Sequence, residues 1–142
     1  MAGIVALLAA IALTVAVAWA FKIRNGRFAD RPADETAQVL TPADLGTELG
    51  ERATLVQFSS AFCSPCRATR VLLTDIATKV DGVVTVDIDA EEHLEMVRRF
   101  GIMRTPTVLV LDADGVVSTR ASGLPRREQV LAALGQAVGD PR

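Results

Sequence analysis

From Ala2 to Phe21 every residue is hydrophobic except Gly3 and Thr14. A helix of about twenty residues, rising about 1.5 Å each, covers the roughly 30 Å hydrocarbon layer of a bilayer. The run is therefore long enough to span a membrane. It divides the chain into an expected transmembrane anchor at 1–22, a tether at 23–37 and a soluble domain at 38–142. Trp19 suits an interfacial anchor, and Lys22, Arg24, Arg27 and Arg31 follow the span while no Lys or Arg precedes it. The positive-inside bias then places the C-terminal domain in the cytoplasm, although long domains can translocate despite that bias, so an extracytoplasmic domain stays open. A cleavable secretory signal competes with the anchor, since Ala16-Val17-Ala18 and Ala18-Trp19-Ala20 both offer small-residue cleavage sites. Against it, no basic residue precedes the run, which also exceeds the about 7–15 residues usual for a signal core.

The 142 residues suit one small domain plus this appendage. Half the chain is hydrophobic, but much of the excess lies in the first segment, leaving an ordinary soluble composition behind it. The net charge of −2 comes from interspersed acids and bases, without the basic stripe and stacking aromatics of a nucleic-acid groove, so no nucleic-acid partner is expected. Two cysteines and the single His93 fall short of the four ligands of a structural zinc site. Half of an intermolecular zinc site is the remaining metal reading, and neither a metal nor a cofactor is expected. Two cysteines three apart also cannot staple a small secreted scaffold, so the pair points to chemistry.

Behind the tether, which has no apolar period, the pattern alternates. Thr41-Pro42-Ala43-Asp44 is a helix start, predicting a short helix from Pro42 to about Leu49 that Gly50 ends. Ala53–Phe58 reads as a buried strand. Ala68, Leu72, Ile76 and Val80 predict a helix from near Ser64 to Val80, with the cysteines at its first turn. Val83–Ile88 reads as a strand, parallel to the previous one because a long helix connects them. Glu91–Phe100 is predicted helical, with Leu94 and Val97 packed and Gly101 as its stop. Thr107–Leu111 and Val116–Thr119 read as a hairpin around Asp114-Gly115, followed by a helix over Arg126–Val138 with Val130, Leu134 and Val138 inward. The expected order is αβαβαββα, an α/β fold with a mixed central sheet flanked by helices on both faces.

A thiol attacks a disulfide only as thiolate, so a redox cysteine needs a group that stabilises negative charge at its sulfur. Cys63, where strand gives way to helix, meets the unsatisfied N–H groups and positive dipole end of that helix. Cys66, one turn further in, is expected to be less exposed. Cys63 is therefore the candidate nucleophile and Cys66 the resolving thiol, with Pro65 preorganising the helix start. Two buried, inert cysteines are the competing reading.

The segment Phe58-Ser59-Ser60-Ala61-Phe62-Cys63-Ser64-Pro65-Cys66-Arg67 resembles the active-site segment of the thioredoxin family, and the likeness covers roughly residues 38 to 138. A second segment, Phe100-Gly101-Ile102-Met103-Arg104-Thr105-Pro106-Thr107, is similar to the one that carries that family's cis-proline. The resemblance implies a thioredoxin-like fold, a cis Thr105–Pro106 bond and a substrate strand that hydrogen-bonds the Thr105 backbone. It further implies substrate contacts at Phe62, Pro65 and Pro106, and at Gly123 before the last helix. For Pro106 and Gly123 alike, an ordinary strand-start proline and a plain turn glycine are the alternatives.

The chain also departs from the family. Gln57 stands where many thioredoxins have a buried acid, Thr85 where they have a lysine, and Ser59 and Phe62 where they have tryptophans. Gln57 cannot take up a proton as a carboxylate does, so slow or partner-specific exchange is expected. His93 reads as a surface residue of a different helix, and Arg98-Arg99 as a solvated helix end. The expected function is a membrane-tethered disulfide reductase acting on protein disulfides, fed by an electron-donating reductase or a membrane thiol carrier. Its alternatives are an extracytoplasmic oxidoreductase of the cytochrome-maturation type and a noncatalytic thioredoxin-like binding module.

Overall fold

The computed structural model describes residues 1–24, the backbone of 28–30, and 38–139. The expected tether at 23–37 therefore lies outside the described residues at 25–27 and 31–37, as do Arg27 and Arg31 of its basic flank. Helix α1 (Ala2–Arg24) matches the apolar run, and none of its residues is buried. By length and composition it is able to cross a membrane. Strand β1 (Phe28–Asp30) falls inside the segment read as a tether. Three residues are too few to display a period of two, so only the partner strand reveals it.

Helix α2 (Pro42–Leu45), strand β2 (Ala53–Ser59), helix α3 (Ser64–Lys79), strand β3 (Val83–Asp89), helix α4 (Leu94–Arg99), strands β4 (Thr107–Asp112) and β5 (Val117–Ser122), and helix α5 (Arg127–Gly139) follow. The sheet order is β1-β5-β4-β2-β3. Strand β3 runs parallel to β2, with Gln57 opposite Asp87, while β4 runs antiparallel to β2 and β5 to β4. The αβαβαββα order and the mixed sheet expected from the sequence are present, with β1 added antiparallel to β5.

Strand β2 lies inside the sheet, between β4 and β3, and is buried along its whole length. Its alternate residues enter two cores. Ala53 and Leu55 join Leu73 and Ile76 of α3 and Val130, Ala133 and Leu134 of α5 on one face. Val56 and Phe58 join Leu40, Phe100, Ile102 and Leu109 on the other, closed by Met96 and Val97 of α4. Each fully buried large side chain contributes about 1.5–3 kcal/mol by leaving water, so this strand is the anchor for both layers.

Several local expectations need correction. Helix α2 stops at Leu45, not near Leu49, because Gly46 adopts a left-handed φ of 69° and its N–H bonds back to Pro42 O. On α3 the buried stripe is Cys66, Thr69, Leu73 and Ile76, and Ala68 is exposed. Steps of four drift around a helix of 3.6 residues per turn, whereas alternating steps of three and four stay on one side. Helix α4 begins at Leu94, which is exposed, because Asp89 and the turn at Glu91 occupy the preceding residues. Val138 is likewise partly exposed, and Ala137 takes the inward place.

Candidate active site

The backbone leaves β2 at Ser59 and turns sharply before α3. Phe62 takes a left-handed φ of 57°, and its ring stands fully in solvent. Cys63 then caps α3: its sulfur accepts a hydrogen bond from Cys66 N at 3.2 Å. That is the place an oxygen-bearing N-cap side chain usually fills, so the helix start directs an N–H and the positive end of its dipole at Cys63 Sγ. Cys66 is 2% exposed, whereas Cys63 is only partly covered. The two form a disulfide, with Cα atoms 5.2 Å apart. Ser64 and Pro65 are exposed beside it.

Two further loops meet this turn. The Thr105–Pro106 bond is cis, as the resemblance implies. Thr105 Oγ1 and Ser60 Oγ lie 2.8 Å apart, joining the loop before Cys63 to the loop before β4. Thr107 Oγ1 donates to Arg104 O at 2.6 Å, tightening the second loop on itself. Gly123, with φ 91°, donates its N–H to Pro106 O at 2.7 Å, and Arg104 donates to Ser122 O at 2.9 Å. Thus Gly123 packs directly against Pro106. Met103, 91% exposed, precedes the Thr105–Pro106 bond by two residues, and Leu124, also exposed, follows Gly123.

Below the disulfide, Gln57 is fully buried and donates from Nε2 to Cys66 O at 2.8 Å. Thr85 is half-buried and carries no charge. The charged group across from Gln57 is Asp87, whose carboxylate accepts from Ser59 Oγ at 2.7 Å and from Arg70 Nε at 2.7 Å. This Ser59–Asp87–Arg70 cluster is not visible in the sequence, where the three residues lie on three elements. Nor is the Ser60–Thr105 pair; the hint is that each residue lies inside one of the two family-like segments. His93 caps α4 in solvent, its Nδ1 2.9 Å from Asp89 O, away from the dithiol in sequence and element. Arg99 is tied to Val39 O, Asp44 and the Phe100 ring, so it braces α2 against α4. Among the described residues there is no group of His, Cys, Asp and Glu arranged to hold a metal ion.

The family model for thioredoxin matches residues 37–136. The chain belongs to the thioredoxin family. It is 30% identical over 87 residues to the thioredoxin of Bacillus subtilis (strain 168), covering 61% of this chain and 84% of that protein. Human thioredoxin domain-containing protein 2 is 34% identical over 88 residues, 61% of this chain, and the match spans 16% of the human protein. Among solved structures, spinach chloroplast thioredoxin F superposes with a TM-score of 0.54 at 22% identity, covering 62% of this chain and 78% of that one. A mutant thioredoxin from Halobacterium salinarum gives 0.56 at 18% identity, over 65% and 80%. These structures share the fold. The chain is thus a thioredoxin-family oxidoreductase whose cysteine pair stands at disulfide distance at the strand-to-helix turn.

Proposed function

We propose that the chain is a membrane-tethered protein-disulfide reductase. The observation that carries this reading is the asymmetry of the pair: Cys63 is reachable and caps a helix start, while Cys66 is buried one turn below it. In the reduced protein the Cys63 thiolate attacks one sulfur of a client disulfide. A mixed disulfide forms and the client's other sulfur leaves as thiolate. Cys66, losing its proton, attacks Cys63 Sγ, restores the intramolecular disulfide and releases the second client sulfur. Two electrons pass to the client, and a dithiol donor, either a reductase or a membrane thiol carrier, returns the pair to its reduced form. The cysteines hold the electrons themselves, so the reaction requires no bound cofactor.

Phe62, Pro65, Thr105, Pro106 and Gly123 form the client groove in this reading, with the Thr105 backbone pairing to an extended client segment. Helix α1 keeps the thiol near the bilayer, which raises its effective concentration toward membrane-proximal clients. Lys22 and Arg24 at the end of α1 favour a cytoplasmic domain.

The test is the full chain in detergent with insulin as the disulfide substrate. Wild type reduces it in the presence of a dithiol, Cys63→Ser abolishes the reaction, and Cys66→Ser accumulates a mixed disulfide. A wild type without activity, together with unchanged partner capture by the Cys63→Ser, Cys66→Ser double variant, would establish a noncatalytic binding module instead.

A further inference from the structure

Among the described residues two buried side-chain polar atoms have no hydrogen-bond partner, Gln57 Oε1 and Thr119 Oγ1. Thr119 sits on β5 opposite Val110, in the sheet. Gln57 is different, because its amide lies against the turn that carries both sulfurs. It is 1% exposed, and Nε2 is held by Cys66 O at 2.8 Å, which fixes which end of the amide is the oxygen. Oε1 shares a carbon with Nε2 and is about 2.3 Å from it by covalent geometry, so it also lies by the first turn of α3. A buried acceptor without a donor is costly, and native proteins rarely leave one.

Three donors of that turn are committed to other acceptors. Cys66 N donates to Cys63 Sγ, Arg67 N to Cys63 O at 3.3 Å, and Thr69 Oγ1 to Pro65 O at 2.8 Å. In the disulfide form neither sulfur carries a hydrogen. Reduction by a dithiol breaks the Cys63–Cys66 bond and yields the Cys63 thiolate, the Cys66 thiol, the donor's disulfide and one released proton. The Cys66 S–H is then a new donor in the same buried turn.

We infer that Gln57 is a redox-sensing positioning residue, whose Oε1 accepts the Cys66 S–H in the reduced protein and stands unpaired in the oxidised one. This rests on the thiol–disulfide exchange reading above. A neutral amide accepts the hydrogen bond without taking the proton, so it keeps Cys66 as the thiol while the helix start favours the thiolate on Cys63. The bond exists in one redox state only, and therefore shifts the equilibrium toward the dithiol. The Nε2 bond to the Cys66 carbonyl needs no sulfur hydrogen and cancels between the states.

The decisive measurement uses the full chain in detergent with Cys63→Ser, which leaves Cys66 as the single thiol. Its S–H stretching band in the Raman spectrum should sit below that of a free thiol and move up to the free position when Gln57→Leu is added. Gln57→Met, unbranched and close in length, gives the same shift should the leucine variant fail to fold. In the two-cysteine protein, either substitution should move the equilibrium with reduced and oxidised glutathione about five-fold toward the disulfide, the worth of one ordinary hydrogen bond. A band that stays in place on replacing Gln57 overturns the inference, whatever the glutathione equilibrium does. Neither readout uses a protein client, so loss of insulin reduction alone would count against the proposed function and not against this bond.

Discussion

The hydroxyls of Ser60 and Thr105, 45 residues apart in the chain, face each other at 2.8 Å and join the two loops that frame the disulfide. One loop ends β2 and leads to Cys63; the other carries the cis Thr105–Pro106 bond into β4. The spacing between nucleophile and groove therefore depends on a polar contact and not only on the shared sheet.

Ser60→Ala and Thr105→Val should each cost about 1 kcal/mol of stability, with a coupling of about 0.5–1.5 kcal/mol in the double-mutant cycle. Insulin reduction should slow several-fold in each. The sole tryptophan, Trp19, lies in α1, so unfolding of the domain is best followed by far-UV circular dichroism. Additive single-mutant effects would show that the two hydroxyls do not act together.

Stability at low pH should follow the carboxylates that lose a partner. The Thr41 backbone N–H, then the Thr41 hydroxyl and Arg99, hold the Asp44 carboxyl below its ordinary value of 3.8, against an opposing push from burial. A depressed folded-state value contributes stability above the ordinary value, and that stability is lost as pH falls through the folded one. Asp75, lowered by Lys79 and then Arg127, acts with the same sign. The midpoint of thermal unfolding should fall as pH drops from about 5 to about 2, and Asp44→Ala should flatten that fall while lowering the midpoint at neutral pH. Thr41→Ala, which removes the cap of α2, should cost about 1 kcal/mol at neutral pH.

Glycine positions separate strain from propensity. Gly115 has φ 81°, and a Cβ there would overlap the carbonyl oxygen of Leu40, whose own N–H bonds to Gly115 O at 2.9 Å. Gly115→Ala should lose about 1–3 kcal/mol in denaturant unfolding. Gly135, inside α5, has nothing within 4 Å of a Cβ, and Gly135→Ala should gain about 0.5–1 kcal/mol.

The orientation of the proposed anchor is read by labelling Cys63 in intact cells with a membrane-impermeant thiol reagent after brief reduction, beside a permeabilised control. Labelling only after permeabilisation is the expected result and places the domain in the cytoplasm. Labelling of intact cells would place it outside and favour the extracytoplasmic client. Release of the domain from membranes by alkaline carbonate, with loss of the first residues from the mature chain, would identify a cleaved signal.

What the sequence by itself determined was local: a run of apolar residues long enough for α1, the alternation of strand and helix periods, and Cys63 and Cys66 at a strand-to-helix junction. These signals arise from neighbours in the chain, through side-chain periodicity, helix capping and turn chemistry, and they sufficed for the mixed α/β sheet and for the buried–exposed asymmetry of the pair. What only the tertiary structure decided was non-local. Strand β1 exists because β5 offers an edge to it, and α3 buries Cys66, Thr69, Leu73 and Ile76 because of how it lies on β2. The partners of Ser60, Asp87 and Gln57 are each nine or more residues away, on a different element or loop. A side chain's own chemistry says what bond it is able to make; only the packed fold says whether a donor or acceptor is there to meet it.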